Sequence, residues 1–282
     1  MAKRRETLTE QLRVPPGPVD LSAIDPQGKP GFDGKKAAGR AELAALAPTL
    51  SDLQEQLYAH GFTGGERRLL LVVQGMDTSG KGGVMRHVVG QLDPQGVRIK
   101  AFKAPTPEER RRGFLWRIRQ ALPMPGQIGV FDRSHYEDVL IARVNRLARP
   151  AVIERRYESI NNFERELVEL GCDVVKVMLH ISPDEQRDRL AARLDRPQKH
   201  WKYNPGDVDE RQKWDEYQRA YEIALERCNT DAAPWYVVPA NRKWYRNLAV
   251  SRLLLERLEA MELGWPAADF DVELEKKRLA AG

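Results

Sequence analysis

The sequence predicts an α/β protein built on a central, parallel, doubly wound sheet. Five short apolar runs are separated by segments long enough to form helices, and a glycine-rich turn follows the first run. Repeated strand–helix–strand units place helices on both faces of a parallel sheet, so that its strands become near-continuous apolar runs. At 282 residues, the chain has room for two domains or for one α/β domain with insertions.

The apolar runs that predict strands lie at residues 69–73, 97–102, 128–131, 174–181 and 235–238. Before them, residues 1–35 are rich in proline and glycine, a composition typical of a loop or an extended arm rather than a regular element. From Lys36 to His60, leucines recur at helical spacing, which predicts a helix that Pro48 could kink or break. Helix starts are also predicted at Thr106 and Ser182, where a hydroxyl cap precedes proline, and glutamate follows three residues after the cap.

The composition is that of a soluble globular chain. Lys and Arg number 46 against 41 Asp and Glu, a net charge of +5, and 41% of the residues are hydrophobic, more than a disordered chain would carry. No apolar stretch approaches the roughly 20 residues that cross a bilayer, and the start lacks the apolar core of a secretory signal. We therefore expect a cytoplasmic protein, in which Cys172 and Cys228 are reduced structural thiols.

The segment from Gly75 to Gly83, GMDTSGKGG, has the G-x4-G-K spacing of a phosphate-binding loop (P-loop). In such a loop, backbone N–H groups and a helix N-terminus converge on phosphate oxygens, while Lys81 would neutralise their charge. Gly82 stands where a Ser or Thr hydroxyl normally binds magnesium, so another ligand is needed, and Asp77 is the obvious replacement. The alternative is a glycine-rich turn with an incidental lysine, which the flanking strand and helix argue against. The loop residues predicted to bind phosphate are Gly75, Thr78, Ser79, Gly80, Gly82 and Gly83.

A second carboxylate is predicted where the third apolar run ends, in the sequence VFDRSHY. Asp132 would lie at the carboxyl end of a buried strand, where doubly wound sheets bind their ligands and where a P-loop commonly has its magnesium-side partner. Arg133 beside it can stabilise transferring phosphoryl oxygens. We predict Asp77 and Asp132 as metal ligands, and Asp77, Lys81, Asp132 and Arg133 as the catalytic group. His135 is interpreted as a hydrogen-bonded supporting group, because the histidines form no cluster with metal-ligand spacing.

Two segments rich in basic residues, 103–119 and 187–202, are candidates for further phosphate contacts. About half of these cations are expected to lie on ordinary helix surface. Residues 195–206 contain two prolines and cannot continue a helix, which suits a mobile cationic lid over a phosphate site. Trp201 and Tyr203 are expected to pack this lid shut, with stacking on a nucleotide base as the alternative. Trp214, Tyr217 and Tyr221 are expected to form the core face of the helix after it. The cations assigned to phosphate or nucleotide binding are Lys103, Arg117, Arg193, Lys199 and Lys202.

Four stretches together resemble the polyphosphate kinase 2 family over roughly residues 30–260: GMDTSGKGG, FDRSHYEDVL, RLDRPQKHWKYNPGDVDERQKWDEYQRAYE and APWYVVPANRKWYRNLAV. The resemblance implies a thymidylate-kinase-like P-loop kinase: a three-layer fold with a central parallel five-stranded sheet and a helical lid. It also implies inorganic polyphosphate as phosphoryl donor to a nucleotide, with Mg²⁺ or alternatively Mn²⁺ as cofactor. The family's loop, strand-end and lid residues fall on Asp77, Lys81, Asp132, Arg133, Arg193, Lys199 and Lys202.

On this basis we predict an N-terminal arm over residues 1–35, a kinase domain over 36–265 with its lid at about 183–228, and a C-terminal tail over 266–282. Family members often form dimers or tetramers, so a homodimer or homotetramer is expected. Neither nucleic acid nor a membrane is expected as a partner.

The acceptor is suggested by the run Ser134-His135-Tyr136-Glu137-Asp138, which is similar to the branch that phosphorylates both AMP and ADP. Branches restricted to ADP more often have tryptophan and asparagine at the places of His135 and Glu137, so Glu137 joins the candidate nucleotide-binding residues. Gly75 and Asp132 depart from some members of the dual branch, where alanine and asparagine occur. The choice between adenine and guanine nucleotides stays open.

Two other functions fit parts of the sequence. An ATP-dependent nucleoside monophosphate kinase would share the fold and would differ in its donor. A non-enzymatic module that binds RNA or another polyanion would explain the basic segments through phosphate contacts. That module would have no use for two carboxylates beside a P-loop.

Overall fold

Five parallel strands form the centre of the molecule in the computed structural model, which describes residues 6–282. The strands are β1 (Arg68–Gln74), β2 (Val97–Ala101), β3 (Ile128–Asp132), β4 (Cys172–His180) and β5 (Trp235–Pro239). Their order in the sheet is β2-β3-β1-β4-β5, and each neighbouring pair is parallel. The predicted five-stranded parallel sheet is confirmed, with β1 at its centre.

Helices surround the sheet. They are α1 (Leu8–Leu12), α2 (Lys36–Phe62), α3 (Lys81–His87), α4 (Pro107–Arg111), α5 (Trp116–Arg119), α6 (Ile141–Val144), α7 (Pro150–Glu169), α8 (Pro183–Leu194), α9 (Gly206–Arg211), α10 (Trp214–Arg227), α11 (Lys243–Glu259) and α12 (Val272–Ala281). Within residues 6–282, no helix is both long enough and apolar enough to cross a lipid bilayer.

Alternating side chains of β1 divide the core into two layers, one on each face of the sheet. Leu70 and Val72 pack in one cluster with side chains of α7 and α10. Leu69, Leu71 and Val73 pack in the other, with side chains of α2, α3 and α11. This period-two alternation is that of a strand covered on both faces, and it produces the predicted three-layer architecture.

The strand register brings the predicted catalytic segments together. Val73, near the end of β1, pairs with Asp132, the last residue of β3. The P-loop and the segment from Asp132 onward therefore leave the sheet at the same edge, as expected for parallel strands.

The arm that the sequence assigns to residues 1–35 packs against the domain over its described part, and its residues 1–5 lie outside the described residues. It contains the short helix α1, capped by Thr7 and Glu10, where no regular element was expected. Leu8, Leu12 and Leu21 are buried. Beyond α1, the N–H of Val14 donates to the carbonyl of Trp235 in β5 at 2.9 Å.

The helix predicted from Lys36 is continuous through Pro48 and ends at Phe62. Proline removes one backbone donor and often kinks or breaks a helix. Here α2 packs along α11, with Leu50 and Leu57 fully buried. On the other side of Pro48, Gly39 is buried against Trp244 of α11. Packing against α11 on both sides of Pro48 thus keeps α2 a single helix.

Candidate functional site

The P-loop has the strained backbone of a phosphate cradle. Gly75 and Gly80 have φ angles of 145° and 114°, and Thr78 lies in the left-handed region at 65° although it carries a side chain. Such conformations cost energy and cluster at functional sites. Within the described residues, Thr78 Oγ1 and Ser79 Oγ are buried without a hydrogen-bond partner. Hydroxyl groups without a partner in a glycine-rich loop can donate hydrogen bonds to an anionic ligand.

Lys81 lies at the start of α3 and folds back over the loop. Its ammonium donates to the carbonyls of Gly75 at 2.7 Å and Met76 at 3.3 Å. Burial lowers the pKa of Lys81, and the surrounding carboxylates of Asp77, Asp132 and Glu137 raise it in part. The structure therefore brings the predicted lysine and both predicted metal-ligating aspartates into one site.

Arg133 follows Asp132 in a left-handed conformation, with φ of 64°. Its N–H continues the β3 ladder by donating to the Val73 carbonyl at 3.1 Å, and its guanidinium donates to Asp77 Oδ1 at 2.8 Å. Although burial opposes it, Glu137 and Asp77 hold the pKa of Arg133 above its usual value. Asp77 is likewise ionised: burial favours its neutral form, but Lys81 and Arg133 keep its pKa below the usual value.

Glu137 faces the same site from a short 3₁₀-helix, His135–Asp138. Burial raises the pKa of Glu137, while Arg133 and Lys81 lower it in part. In the amide orientation that satisfies both of its ends, Gln74 donates to Glu137 Oε1 at 3.1 Å and accepts from Ser134 Oγ at 3.0 Å. The last residue of β1 thus positions this carboxylate.

On one side of the P-loop lies a cavity of about 370 Å³, which we call the acidic cavity. Its carboxylates are Asp77, Glu137, Asp207, Asp209 and Glu210. Burial, and then the neighbouring Asp77, raise the pKa of Asp207, so this lid carboxylate faces the P-loop. The rings of Tyr217 and Tyr221 form part of the wall, and the Tyr221 hydroxyl accepts from the Gly75 N–H at 3.2 Å.

On the other side of the P-loop lies a cavity of about 810 Å³, which we call the basic cavity. Its wall includes Thr78, Gly80 and Gly83 of the loop and one carboxylate, Glu185. The cations that line it are Lys36, Arg40, Arg189, Arg242, Lys243 and Arg246. Carboxylates therefore predominate on one side of the P-loop, and cations predominate on the other.

Arg246 lies directly behind the loop and is 3% exposed. A Cβ atom on Gly80 would be 1.8 Å from its Nη1 atom, and one on Gly83 would be 2.3 Å from its Nη2 atom. Its guanidinium donates to Asn247 Oδ1 through Nε and Nη2. Burial, and then Arg189, lower the pKa of Arg246 to about 10. A buried cation beside a second cation is costly without a counter-anion.

Arg189 ties the lid to the P-loop. From α8 its guanidinium donates to the carbonyls of Thr78 and Ser79, both at 2.8 Å, and to that of Ala240 after β5 at 2.6 Å. Its Nε donates to Glu185 at 2.6 Å. The planar fork of arginine can serve these acceptors together.

The predicted lid comprises α8, the 3₁₀-helix Pro197–Lys202, α9 and α10. Arg193 connects α8 to the rest of the lid. It pairs with Asp207 of α9 at 3.2 Å and donates to the carbonyl of Lys202, in the 3₁₀-helix, at 3.0 Å. Arg193 also lowers the pKa of Asp77, and Lys199 lowers that of Lys243, so these two cations lie near the P-loop and near Lys243 respectively.

Three other predicted cations lie away from the two cavities. Lys202 is exposed, with its ammonium 4.7 Å from the Trp201 ring. Lys103 is exposed after β2, and its carbonyl accepts from Arg117 at 2.7 Å. Arg117 is 8% exposed and lies between Glu109 at 3.9 Å and Asp138 at 3.7 Å. For Lys103, Lys202 and Arg117, phosphate binding stays a prediction.

The aromatic residues of the lid differ in part from expectation. Trp201 does not pack the lid shut, since it is 78% exposed. Tyr221 is buried as predicted, yet Tyr217 and Tyr221 face the acidic cavity as well as the core.

Sequence reasoning missed Arg246, Asp207 and the tether role of Arg189. Arg246 lies in a stretch whose helical spacing is typical of an ordinary core helix, and no spacing rule connects it to Gly80.

A separate signal in the sequence is Lys176, a lysine in the middle of the apolar strand CDVVKVMLH. An unpaired charge there would be too costly, so a buried partner is expected.

A divalent cation fits the site as a ligand shared with substrate. Among residues 6–282, no group of three or more His, Cys, Asp or Glu side chains is arranged to hold a metal. Mg²⁺ is usually bound by one or two carboxylates together with substrate phosphates and water. Asp77 and Asp132, both near Lys81, are suited to that arrangement.

Comparison with known proteins decides the family. A sequence profile described as Polyphosphate kinase 2 (PPK2) matches residues 33–264. The chain belongs to the polyphosphate kinase 2 family. The crystal structure of polyphosphate kinase 2 from Arthrobacter aurescens TC1 is similar, with a TM-score of 0.96, 54% sequence identity and coverage of 98% of each chain. This likeness confirms the P-loop kinase fold.

Two curated relatives of this family match over nearly their whole length. An AMP/ADP-polyphosphate phosphotransferase from Meiothermus ruber is 46% identical over 258 residues, which cover 91% of this chain and 95% of the relative. An ADP-polyphosphate phosphotransferase from Rhodopseudomonas palustris is 41% identical over 275 residues, which cover 92% of each. A polyphosphate-dependent nucleotide kinase is the activity class that this family membership supports.

Proposed function

We propose that this protein transfers the terminal phosphoryl group of inorganic polyphosphate to AMP and to ADP. Acceptance of both nucleotides is supported by the run from Ser134 to Asp138 and by the similarity to the AMP/ADP-polyphosphate phosphotransferase. The reaction is reversible in principle, since it exchanges one phosphoanhydride bond for another.

The proposal rests mainly on the concentration of cations in the basic cavity. Burial lowers the pKa of Lys243, and the neighbouring Arg189, Lys199 and Arg246 lower it further. Cations crowded enough to perturb one another require a dense polyanion to neutralise them. A chain of phosphates running from this cavity to the P-loop would supply that charge, with Arg40 and Lys36 contacting units farther from the reacting one.

The acidic cavity is suited to the nucleotide. Its carboxylates can accept hydrogen bonds from ribose hydroxyls and from amino groups of a base, and Tyr217 offers a ring face for stacking. The acceptor phosphate would then meet the polymer's terminal phosphate at the P-loop, between the two cavities.

Transfer between two phosphates depends on alignment and on charge neutralisation, with no covalent intermediate on the protein. Lys81 would leave its loop carbonyls to bind the transferring phosphoryl group. Arg133, already oriented by Asp77 and Glu137, would stabilise its equatorial oxygens. The lid, joined to the loop by Arg189, would exclude water, which competes as an acceptor.

We propose Mg²⁺, with Mn²⁺ as an alternative, as the divalent cation held by Asp77 and Asp132. When bound, it would neutralise phosphate charge and act as a Lewis acid toward the transferring phosphoryl group. We further propose a cytoplasmic homodimer or homotetramer that does not use nucleic acid as a partner.

Exchange of Lys243 for glutamine tests the donor assignment. One lost charge-assisted contact to phosphate corresponds to about a tenfold change in affinity. Lys243→Gln should therefore raise KM for polyphosphate about tenfold and leave KM for AMP unchanged. Lys276→Gln, which removes an exposed lysine of α12, is the control and should change neither constant. A rise in KM for AMP alone would overturn the assignment of polyphosphate to the basic cavity.

A further inference from the structure

A fully buried charged network lies beneath the candidate site, on the α7 and α10 side of the sheet. Lys176 of β4 is 0% exposed, and its ammonium donates to the Tyr136 hydroxyl at 2.8 Å, Glu164 Oε2 at 2.6 Å and the Cys228 carbonyl at 2.6 Å. All three hydrogens of the ammonium are thus used. Glu164 Oε1 also accepts from Tyr136 at 2.8 Å and from His135 Nε2 at 3.1 Å.

The surroundings of Glu164 favour its ionised form. Burial favours the neutral form of Glu164, but Lys176 and His135 together hold its pKa below the usual value. Apolar side chains of matched volume often replace such buried pairs without loss of stability. Stability alone therefore gives little reason for placing these charges in the core.

The position of the network suggests another reason. Tyr136 and His135 belong to the segment that has Arg133 at one end and Glu137 at the other. Cys228 directly follows α10, the helix that carries Tyr217 and Tyr221 to the acidic cavity. A cation at the carboxyl end of a helix also interacts favourably with the helix dipole. One ammonium therefore joins the segment after β3 to the base of the last lid helix.

A second contact joins the same helix to the P-loop, where the Gly75 N–H donates to Tyr221. Hydrogen bonds thus hold α10 at Lys176 below and at Gly75 above, in addition to the contacts of Arg227 with Asn161 and Glu154 of α7. The Lys176 hydrogen bonds are those that link the end of α10 to the segment after Arg133.

We infer that Lys176, with Tyr136 and Glu164, is a positioning residue that fixes Arg133 and Glu137 relative to the tyrosine-bearing face of α10. The inference rests on the proposed function, because it assigns Arg133 to the transfer step. It predicts an effect on kcat rather than on binding, since a small displacement of an aligned group slows transfer far more than it weakens ground-state contacts.

Two variants test it. Tyr136→Phe removes only the hydroxyl that links the segment to Lys176 and Glu164. The double variant Lys176→Met/Glu164→Gln removes both charges without leaving either unpaired. Each should lower kcat by about tenfold or more, while KM for AMP and for polyphosphate changes less than about threefold. Tyr157→Phe is the control, since it removes a buried hydroxyl on the same helix as Glu164 that makes no hydrogen bond to Lys176, Tyr136 or Glu164.

Amide hydrogen exchange supplies a readout that needs no activity. Tyr136→Phe should speed exchange in residues 217–228 and at Gly75, far along the chain from the substitution, whereas Tyr157→Phe should not. Wild-type kcat together with unchanged exchange in a folded Tyr136→Phe variant would overturn the inference. If the double variant does not fold, Tyr136→Phe decides alone. A wild-type protein that is inactive with polyphosphate would refute the proposed function, and hydrogen exchange would still decide the positioning role.

Discussion

Within the P-loop, two glycines separated by one residue have different surroundings. Gly80 has a φ of 114°, and a Cβ there would overlap Arg246, whereas a Cβ on Gly82 would have no atom within 4 Å. A glycine is therefore needed at position 80, both for its left-handed backbone conformation and because a Cβ atom would overlap Arg246. Gly82, the position where a Ser or Thr hydroxyl commonly binds magnesium, is free to vary.

The glycine pair gives a prediction at the residue scale. Gly80→Ala should reduce the free energy of unfolding by about 1–3 kcal/mol, the usual cost of an unfavourable backbone conformation, and should abolish transfer by moving Arg246. Gly82→Ser should leave the free energy of unfolding within about 0.5 kcal/mol and kcat within about twofold of wild type, because the backbone N–H predicted to bind phosphate is kept and the new side chain enters open space. Urea unfolding and steady-state kinetics would measure both. Equal damage from the two substitutions would contradict this description of the loop.

At this scale, sequence reasoning reaches residues whose chemistry is local, and their roles stay predictions. The loop spacing identified Lys81 and Asp77, and the end of an apolar run identified Asp132 and Arg133, all of which the structure brings into one site. It failed for Arg246, more than 160 positions from Gly80, since no local rule brings residues so distant in sequence into contact.

At the scale of elements, two side chains of the lid helix α8 bind it to the P-loop: Gln186 donates to the Asp77 carbonyl at 3.1 Å, and Arg189 donates to the carbonyls of Thr78 and Ser79. Arg189 supplies donors to the loop, to the carbonyl after β5 and to Glu185 of its own helix. Two residues earlier, Arg187 is 63% exposed, and among residues 6–282 its ion pairs are with the neighbouring aspartates of α8. The two arginines thus provide a matched pair.

The ammonium of lysine cannot donate to several acceptors in the fixed planar arrangement of an arginine guanidinium. Arg189→Lys should lower the free energy of unfolding by roughly 2 kcal/mol, since carbonyl groups of the P-loop would lose charged donors, and should raise KM for polyphosphate. Arg187→Lys should change stability by less than about 0.5 kcal/mol. Chemical denaturation of both variants would measure the difference. An Arg189→Lys variant as stable as Arg187→Lys would show that the tether does not hold the loop.

Element boundaries were predicted best where capping is explicit. The helix start at Thr106 has the full capping box, and Ser182 accepts from the Glu185 N–H. Glu185 does not complete a capping box, because its carboxylate pairs with Arg189 instead. The exposed Trp201 was not foreseen, since a sequence shows that an aromatic residue is present but not whether a surface is available to cover it.

At the scale of the whole molecule, the two chain ends differ in how they pack. Leu8, Leu12 and Leu21 of the arm are buried, whereas no side chain of α12 is buried. Proline-rich composition did not reveal this difference, since burial of the arm depends on the surface that β5 and α11 provide.

Removal of residues 1–30 should therefore lower the free energy of unfolding by roughly 3 kcal/mol or more, because the buried leucines of the arm are lost and the side chains of β5 and α11 that they cover become exposed. Removal of residues 266–282 should lower it by less than about 0.5 kcal/mol. Thermal unfolding of the two truncated proteins compares them directly. A larger loss on the C-terminal truncation would contradict the packing described and the proposed limits of the kinase domain.

The most direct test of the central claim is an assay without ATP. Purified protein, Mg²⁺ and polyphosphate are supplied with AMP or with ADP, the products are resolved by chromatography, and the Lys81→Ala variant serves as the inactive reference. Formation of ADP from AMP and of ATP from ADP, both lost in the variant, is the predicted result. Product from neither nucleotide with polyphosphate, and transfer to AMP only when ATP is the donor, would contradict it.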